Sequence, residues 1–166
     1  MGTGEPGLAV FRNLGSSFAA PALIAGHTSF DVEVGDVTGD GRPDIAVCGS
    51  GFHLVAGLAG GGFAPSVYYP SVRYCDAVEL ADVNGDGRTD VSLIWDEAPL
   101  TNRLVVLPQL PNGTLGPPED YPTSVRPSGV RAGDMNGDGR TDVVVLRRWP
   151  RTSISAPARR CRTSSS

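Results

Sequence analysis

The sequence predicts an all-β chain built from repeated four-stranded antiparallel units, and three observations carry that reading. Turn formers are dense, with 22 Gly and 14 Pro among 166 residues, which disfavours a helical bundle. Three segments align without gaps: Asp36–Asp44 (DVTGDGRPD), Asp82–Asp90 (DVNGDGRTD) and Asp134–Asp142 (DMNGDGRTD), offset by 46 and 52 residues. Apolar residues alternate at period two on both flanks of each segment. Val32/Val34, Val78/Leu80 and Val130/Ala132 precede the three loops, and Ile45/Val47, Val91/Leu93 and Val143/Val145 follow them. Such alternation reads as strand, loop, strand.

A second landmark keeps step with the first. Phe18, Phe63 and Leu115 each stand 18 or 19 residues before the next Asp-rich loop. The extra length of the longer period falls in two hairpins, where insertions cost little. In chain order, residues 8–27 supply the last two strands of a unit. Residues 30–70 form a whole unit, with strands near Phe30–Val37, Asp44–Gly49, His53–Leu58 and Pro65–Pro70. Residues 76–122 form a second whole unit, and 128–146 begin another. Four-stranded units at this period are the signature of β-propeller blades. Residues 8–146 therefore read as a partial β-propeller of about three blades' worth. Closed propellers need at least four, so missing blades or self-association are required to close the ring. Residues 147–166 break the pattern with six Arg, five Ser and no Gly. They read as an irregular tail, disordered or out of frame from about Arg147, in preference to a basic tail that binds an anionic surface.

Charge narrows the function classes. The formal net charge is −4, every basic residue is Arg, and residues 1–146 hold all 18 acids against eight Arg. So acidic a body argues against a nucleic-acid surface, which needs clustered basic side chains. No apolar run approaches the ~18–20 residues of a membrane-spanning helix. Met1–Val10 lacks the basic start and apolar run of a signal peptide. Cys48, Cys75 and Cys161 are an odd number, so at least one thiol is unpaired or joins another chain. A Cys48–Cys75 bridge is open to the chain in an oxidising compartment, but the sequence alone weighs against it.

The loop pattern D-x-[NT]-G-D-G-R-x-D concentrates oxygen donors at positions 1, 3, 5 and 9, a set suited to a hard cation with 6–8 oxygen ligands. The first loop offers Asp36, Thr38, Asp40, Asp44 and the Arg42 carbonyl; the second, Asp82, Asn84, Asp86, Asp90 and the Arg88 carbonyl. The third offers Asp134, Asn136, Asp138, Asp142 and the Arg140 carbonyl. Three carboxylates in one tight loop repel one another unless a cation lies between them. An EF-hand is excluded, because its twelfth position needs a bidentate Glu and here holds Val47, Leu93 and Val145. The competing reading is a metal-free hairpin, for which Asp-Gly and Asn-Gly suffice. Three copies with Asp kept at positions 1, 5 and 9 favour up to three structural Ca²⁺ sites. Thr38 makes the first the weakest, a hydroxyl being a poorer ligand than an amide carbonyl.

With these loops at fixed phase from the Phe-Ala-Ala-Pro and Phe-Ala-Pro segments, the chain resembles the FG-GAP/VCBS repeat family. That family builds the calcium-bearing propeller of integrin α-chain heads and of many secreted bacterial proteins. The resemblance covers residues 8–146. It implies about seven blades in a complete ring, calcium in the hairpin between the first two strands of a blade, and an extracellular or cell-surface setting. On this basis the chain is expected to be a non-catalytic interaction module that binds a protein or a glycan. The alternative is a carbohydrate-binding propeller, either a lectin or the accessory module of a polysaccharide-degrading enzyme.

Other residues carry weaker signals. His27 and His53 lie outside the repeated motif and have no nucleophile partner by any local signature. Gly49-Ser50-Gly51 and Gly60-Gly61-Gly62 read as hairpin glycines, since no strand–GxGxxG–helix unit accompanies them. Tyr68, Tyr69 and Tyr74 could stack on a sugar, although packing is the commoner fate of such rings. Trp95, Asp96 and Glu97 occupy a loop lengthened in one blade only. Asn112-Gly113-Thr114 matches a glycosylation triplet by pattern alone.

Overall fold

The computed structural model describes residues 7–26, 28–95, 102–123 and 127–147. The described residues form twelve strands in four antiparallel sheets. Strands β1 (Gly7–Val10) and β2 (Ala22–Ala25) pair with each other. Next come β3 (Ser29–Gly35), β4 (Asp44–Gly49), β5 (Phe52–Val55) and β6 (Val67–Tyr69), hydrogen-bonded in chain order. Strands β7 (Ala77–Ala81), β8 (Asp90–Trp95), β9 (Arg103–Leu107) and β10 (Glu119–Pro122) repeat that meander. Strands β11 (Pro127–Gly133) and β12 (Asp142–Arg147) form a last pair. Among the described residues the result is an all-β, propeller-like arrangement of two complete four-stranded blades flanked by two half-blades, with no closed ring. Outer strands are shorter than the sequence suggests. The fourth of the first blade, expected over Pro65–Pro70, keeps only Val67–Tyr69. Arg147, assigned from sequence to the tail, ends β12; residues 148–166 lie outside the described residues.

Successive blades pack face to face, which explains why the second strand of each complete blade is buried at nearly every position rather than at alternate ones. In β4, Ile45 and Val47 pack with Val55 against Leu8, Val10 and Ile24 of the first half-blade. Ala46 and Cys48 point the other way, into a core with Phe52, Leu54, Val78, Val91, Leu93, Val105 and Leu107 between the two complete blades. A third cluster, Ala77, Ile94 and Val130 with Leu104, Val143 and Val145, joins the second blade to the last half-blade. Burying each such side chain contributes about 1.5–3 kcal/mol, so stability resides between blades, not within them.

The first strands β3, β7 and β11 stand side by side. The Val78 amide crosses between two of them to Asp31 Oδ2 at 3.1 Å. Equivalent repeat positions hold Glu33, Glu79 and Arg131, and Arg131 Nη1 lies 3.1 Å from Glu79 and 3.9 Å from Glu33. Burial, with the Glu79 charge adding to it, raises the Glu33 pKa, and Arg131 opposes both.

Cys48 and Cys75 are joined as a disulfide, with Cα atoms 5.3 Å apart. This corrects the sequence reading, which weighed against the pair. Spacing along the chain carried no sign that the segment before β7 folds back onto β4. There the Cys75 amide donates to the Gly49 carbonyl at 3.1 Å, and the Phe52 amide to the Val72 carbonyl at 3.3 Å. Both cysteines are fully buried. Cys161 lies outside the described residues.

Candidate metal-binding loops

The three Asp-rich loops connect the first and second strands of successive blades and share one backbone path. Positions 4 and 6 take left-handed φ in every copy: Gly39 and Gly41 at 72° and 80°, Gly85 and Gly87 at 80° and 82°, Gly137 and Gly139 both at 81°. Only glycine adopts that conformation without strain, which accounts for the G-D-G core.

Asp at position 1 organises the curl. Asp36 accepts the Asp40 and Gly41 amides at 3.0 and 2.8 Å. Asp82 accepts those of Gly85, Asp86 and Gly87 at 2.7–3.1 Å, and Asp134 those of Gly137, Asp138 and Gly139 at 2.6–3.2 Å. These donors hold the Asp82 and Asp134 carboxyls below the usual carboxylate range, with the Gly87 and Gly139 amides contributing most. At position 3, Asn84 and Asn136 each accept the amide of position 5 at 2.9 Å. Thr38, in the same place, has a buried hydroxyl oxygen with no hydrogen-bond partner.

Position 9 is different in kind. Asp44 and Asp90 are completely buried. Asp44 accepts the amides of Val37 (3.0 Å), Thr38 (2.8 Å) and Gly57 (2.9 Å). Asp90 accepts those of Val83 (3.1 Å) and Gln109 (2.9 Å), with Asn84 Nδ2 at 3.4 Å. Each carboxylate thus pins its loop to the end of the third strand. Burial raises the Asp90 pKa and the Asp86 charge adds to it, against the pull of the Gln109 and Val83 amides. Asp142 lies in a half-blade that has no third strand among the described residues; it accepts the Met135 amide at 3.1 Å and is only partly buried.

At position 5, Asp40 and Asp86 form ion pairs with Arg42 and Arg88. The same arginines reach the third strand through Nε, to the Gly57 carbonyl at 3.0 Å and the Gln109 carbonyl at 2.9 Å. Among the described residues, no group of three or more His, Cys, Asp or Glu side chains stands close enough to share an ion. In the first two loops the position-5 carboxylates face guanidinium groups and the position-9 carboxylates face buried amides, whereas in the third Asp138 meets Asn136 Nδ2 at 3.3 Å. The acidic side chains of each loop therefore lie on one turn without forming a cluster that shares an ion. Oxygen donors alone, including the orphaned Thr38 hydroxyl, still match the chemistry of a hard cation.

Sequence reasoning missed Gln109. It is buried, its Nε2 donates to the Val37 carbonyl at 2.6 Å, and its Oε1 accepts the Thr89 amide at 3.1 Å. One side chain thus ties the first loop to the second across the blade boundary. The equivalent positions hold Asn13 and Gly57, so no repeated letter marks it. Gln109→Ala would leave the Val37 carbonyl and the Thr89 amide unpaired in the interior. A loss of about 2 kcal/mol is expected, readable as a lower denaturant midpoint at unchanged slope.

The remaining candidates are dispersed. His53 in β5 lies against Tyr68, ring centroids 5.0 Å apart, and Tyr69 is half-buried against Phe52 at 5.3 Å. Tyr74 and Phe30 form an exposed pair at 5.6 Å. Arg103 stacks over Trp95 at 5.4 Å; Asp96 and Glu97 lie outside the described residues, as does His27. Asn112 Oδ1 accepts from the Thr114 hydroxyl at 2.8 Å, closing an exposed turn. Gly51 lies tight against the Tyr68 ring, while Gly60 and Gly61 shape the turn before Phe63.

Residues 82–145, which include the second and third Asp-rich loops, match a family model described as an FG-GAP-like repeat. No curated protein and no solved structure matches the chain.

Proposed function

We propose, for a chain whose residues 82–145 match an FG-GAP-like repeat, a calcium-stabilised, non-catalytic β-propeller module that binds a partner protein outside the cell. The observation that supports it most is the threefold recurrence of one curled loop, with oxygen donors at positions 1, 3, 5 and 9 and left-handed glycines at 4 and 6. In the first loop the Thr38 hydroxyl is buried without a partner, an oxygen that a bound cation would satisfy. Calcium would neutralise the crowded carboxylates, and the guanidinium groups of Arg42 and Arg88 would release Asp40 and Asp86 to it. The buried Cys48–Cys75 disulfide fits an oxidising, extracellular setting. No helix among the described residues is long and apolar enough to cross a membrane.

A ligand that binds only the folded state stabilises it by about 2.7 kcal/mol at a hundredfold excess over Kd. Thermal melts in calcium and in chelator are therefore expected to differ, with magnesium a poor substitute because the loop offers more ligands than a tight octahedron takes. Asp86→Ala removes the second loop's share of the difference. Superimposable melts in calcium and chelator would refute the assignment.

A glycan-binding reading is favoured by one observation, the exposed Phe30–Tyr74 pair. It lines a cleft of about 1030 Å³ that also holds Arg131 and Arg147. Aromatic rings beside polar groups suit a sugar face. A glycan array that binds the native chain and fails with Tyr74→Ala would select it over protein binding.

A further inference from the structure

The two half-blades are complementary halves of one blade. By the repeat, β11 and β12 are a first and second strand, whereas β1 and β2 are a third and fourth. Among the described residues, β12 pairs only with β11 and β1 only with β2. The faces left open correspond as well. Val78 and Val130 on the first strands of later blades are 0% and 2% exposed, covered by the preceding blade, but Val32 and Val34 of β3 are 45% and 63% exposed. Ala46 and Cys48 of β4, which cover Val78, are fully buried. Their equivalents in β12, Val144 and Leu146, are 47% and 64% exposed. Beside Val32 and Val34 a cleft of about 580 Å³ opens, walled by β1, Pro43, Ile45 and Phe63. It has the position and apolar lining that a first-and-second strand pair requires.

We infer that a second copy of this chain fills that cleft. Its β12 adds to the free edge of β1, and its Val144 and Leu146 cover Val32 and Val34. The contact continues the blade-to-blade packing already present in the chain. The repeat supplies the register. β8 pairs with β9 as Val91↔Leu107, Ser92↔Val106 and Ile94↔Leu104. Leu107 precedes the Gln109–Leu115 bridge by the same two residues as Phe11 precedes the Asn13–Phe18 bridge. The intermolecular ladder is therefore Val143 opposite Phe11, Val144 opposite Val10, and Leu146 opposite Leu8. The described residues of each copy bring two blades and two halves, so a head-to-tail contact closes after two copies as a six-bladed ring. One copy falls short of the four blades a propeller needs, and three copies would exceed the usual eight.

Light scattering on the purified 166-residue chain is expected to give twice the 17.3 kDa chain mass. A monomer, or an open series of larger species, would overturn the two-copy ring. Val34→Asp, at an exposed position, is expected to lower the mass to one chain, and an undiminished dimer would count against the contact. Cross-linking tests the register even if that variant misfolds. In a Cys161→Ser background, Val10→Cys and Val144→Cys chains are mixed and oxidised. A disulfide-linked pair is expected in the mixture and in neither chain alone. Its absence, or equal cross-linking of either chain by itself, would refute the ladder.

Discussion

Asp44→Ala is expected to lower stability by about 3–5 kcal/mol, a large part of the ~5–15 kcal/mol available to a domain. The carboxylate is fully buried and accepts the Val37, Thr38 and Gly57 amides. Removing it leaves all three without a partner, in a space too closed for bulk water to replace them. The loss should persist in chelator, because it arises from backbone amides rather than from a bound ion. Asp86→Ala is the contrasting case. Its carboxylate meets only the Arg88 amide and guanidinium at the surface, so without calcium its removal should cost under about 1 kcal/mol. Equilibrium unfolding of both variants, with and without calcium, separates the two roles. A mild Asp44→Ala in chelator would show that the buried acid is not the structural pin described above.

Removing the Cys48–Cys75 bridge is expected to be nearly as costly. It closes a loop of 27 residues' separation, for which the chain-entropy account predicts about 3.5 kcal/mol. Both sulfurs lie in the core between the two complete blades, together with Phe52, Val72 and Val78. A double Cys48→Ala, Cys75→Ala variant therefore also loses packing volume. The combined effect should appear as a melting transition well below that of the oxidised protein. Reductant should lower the native melt and leave the double variant unchanged. If reductant shifts both alike, the effect lies outside this disulfide.

Strand identity was readable because its cause is local. Alternation around each Asp-rich loop reflects which side chains face a neighbouring blade, and loop glycines reflect left-handed φ. Both leave a mark within a few residues of sequence. Three aligned copies turned weak local signals into a blade period, and four-stranded antiparallel blades are what the chain forms. Strand ends were less legible. Pro65–Pro70 reads as one strand, yet only Val67–Tyr69 pairs, because the prolines at both ends have no N–H to give to the ladder.

The sequence by itself determined the repeat, the blade meander and the residues of the three loops. Each of these depends on contacts between residues close in the chain or on a pattern repeated along it. Only the tertiary structure decided that Cys48 meets Cys75, that Gln109 bridges two blades, and that Asp40 and Asp86 turn toward arginines while Asp44 and Asp90 turn inward. Loop aspartates written with the same letter divide into surface and buried groups because position 9 begins the second strand, which is packed on both faces, whereas position 5 lies at the tip of the curl. Gln109 reaches the Val37 carbonyl from 72 residues away. No local pattern encodes that contact, since it exists only once two blades have packed and left a polar atom that water cannot reach.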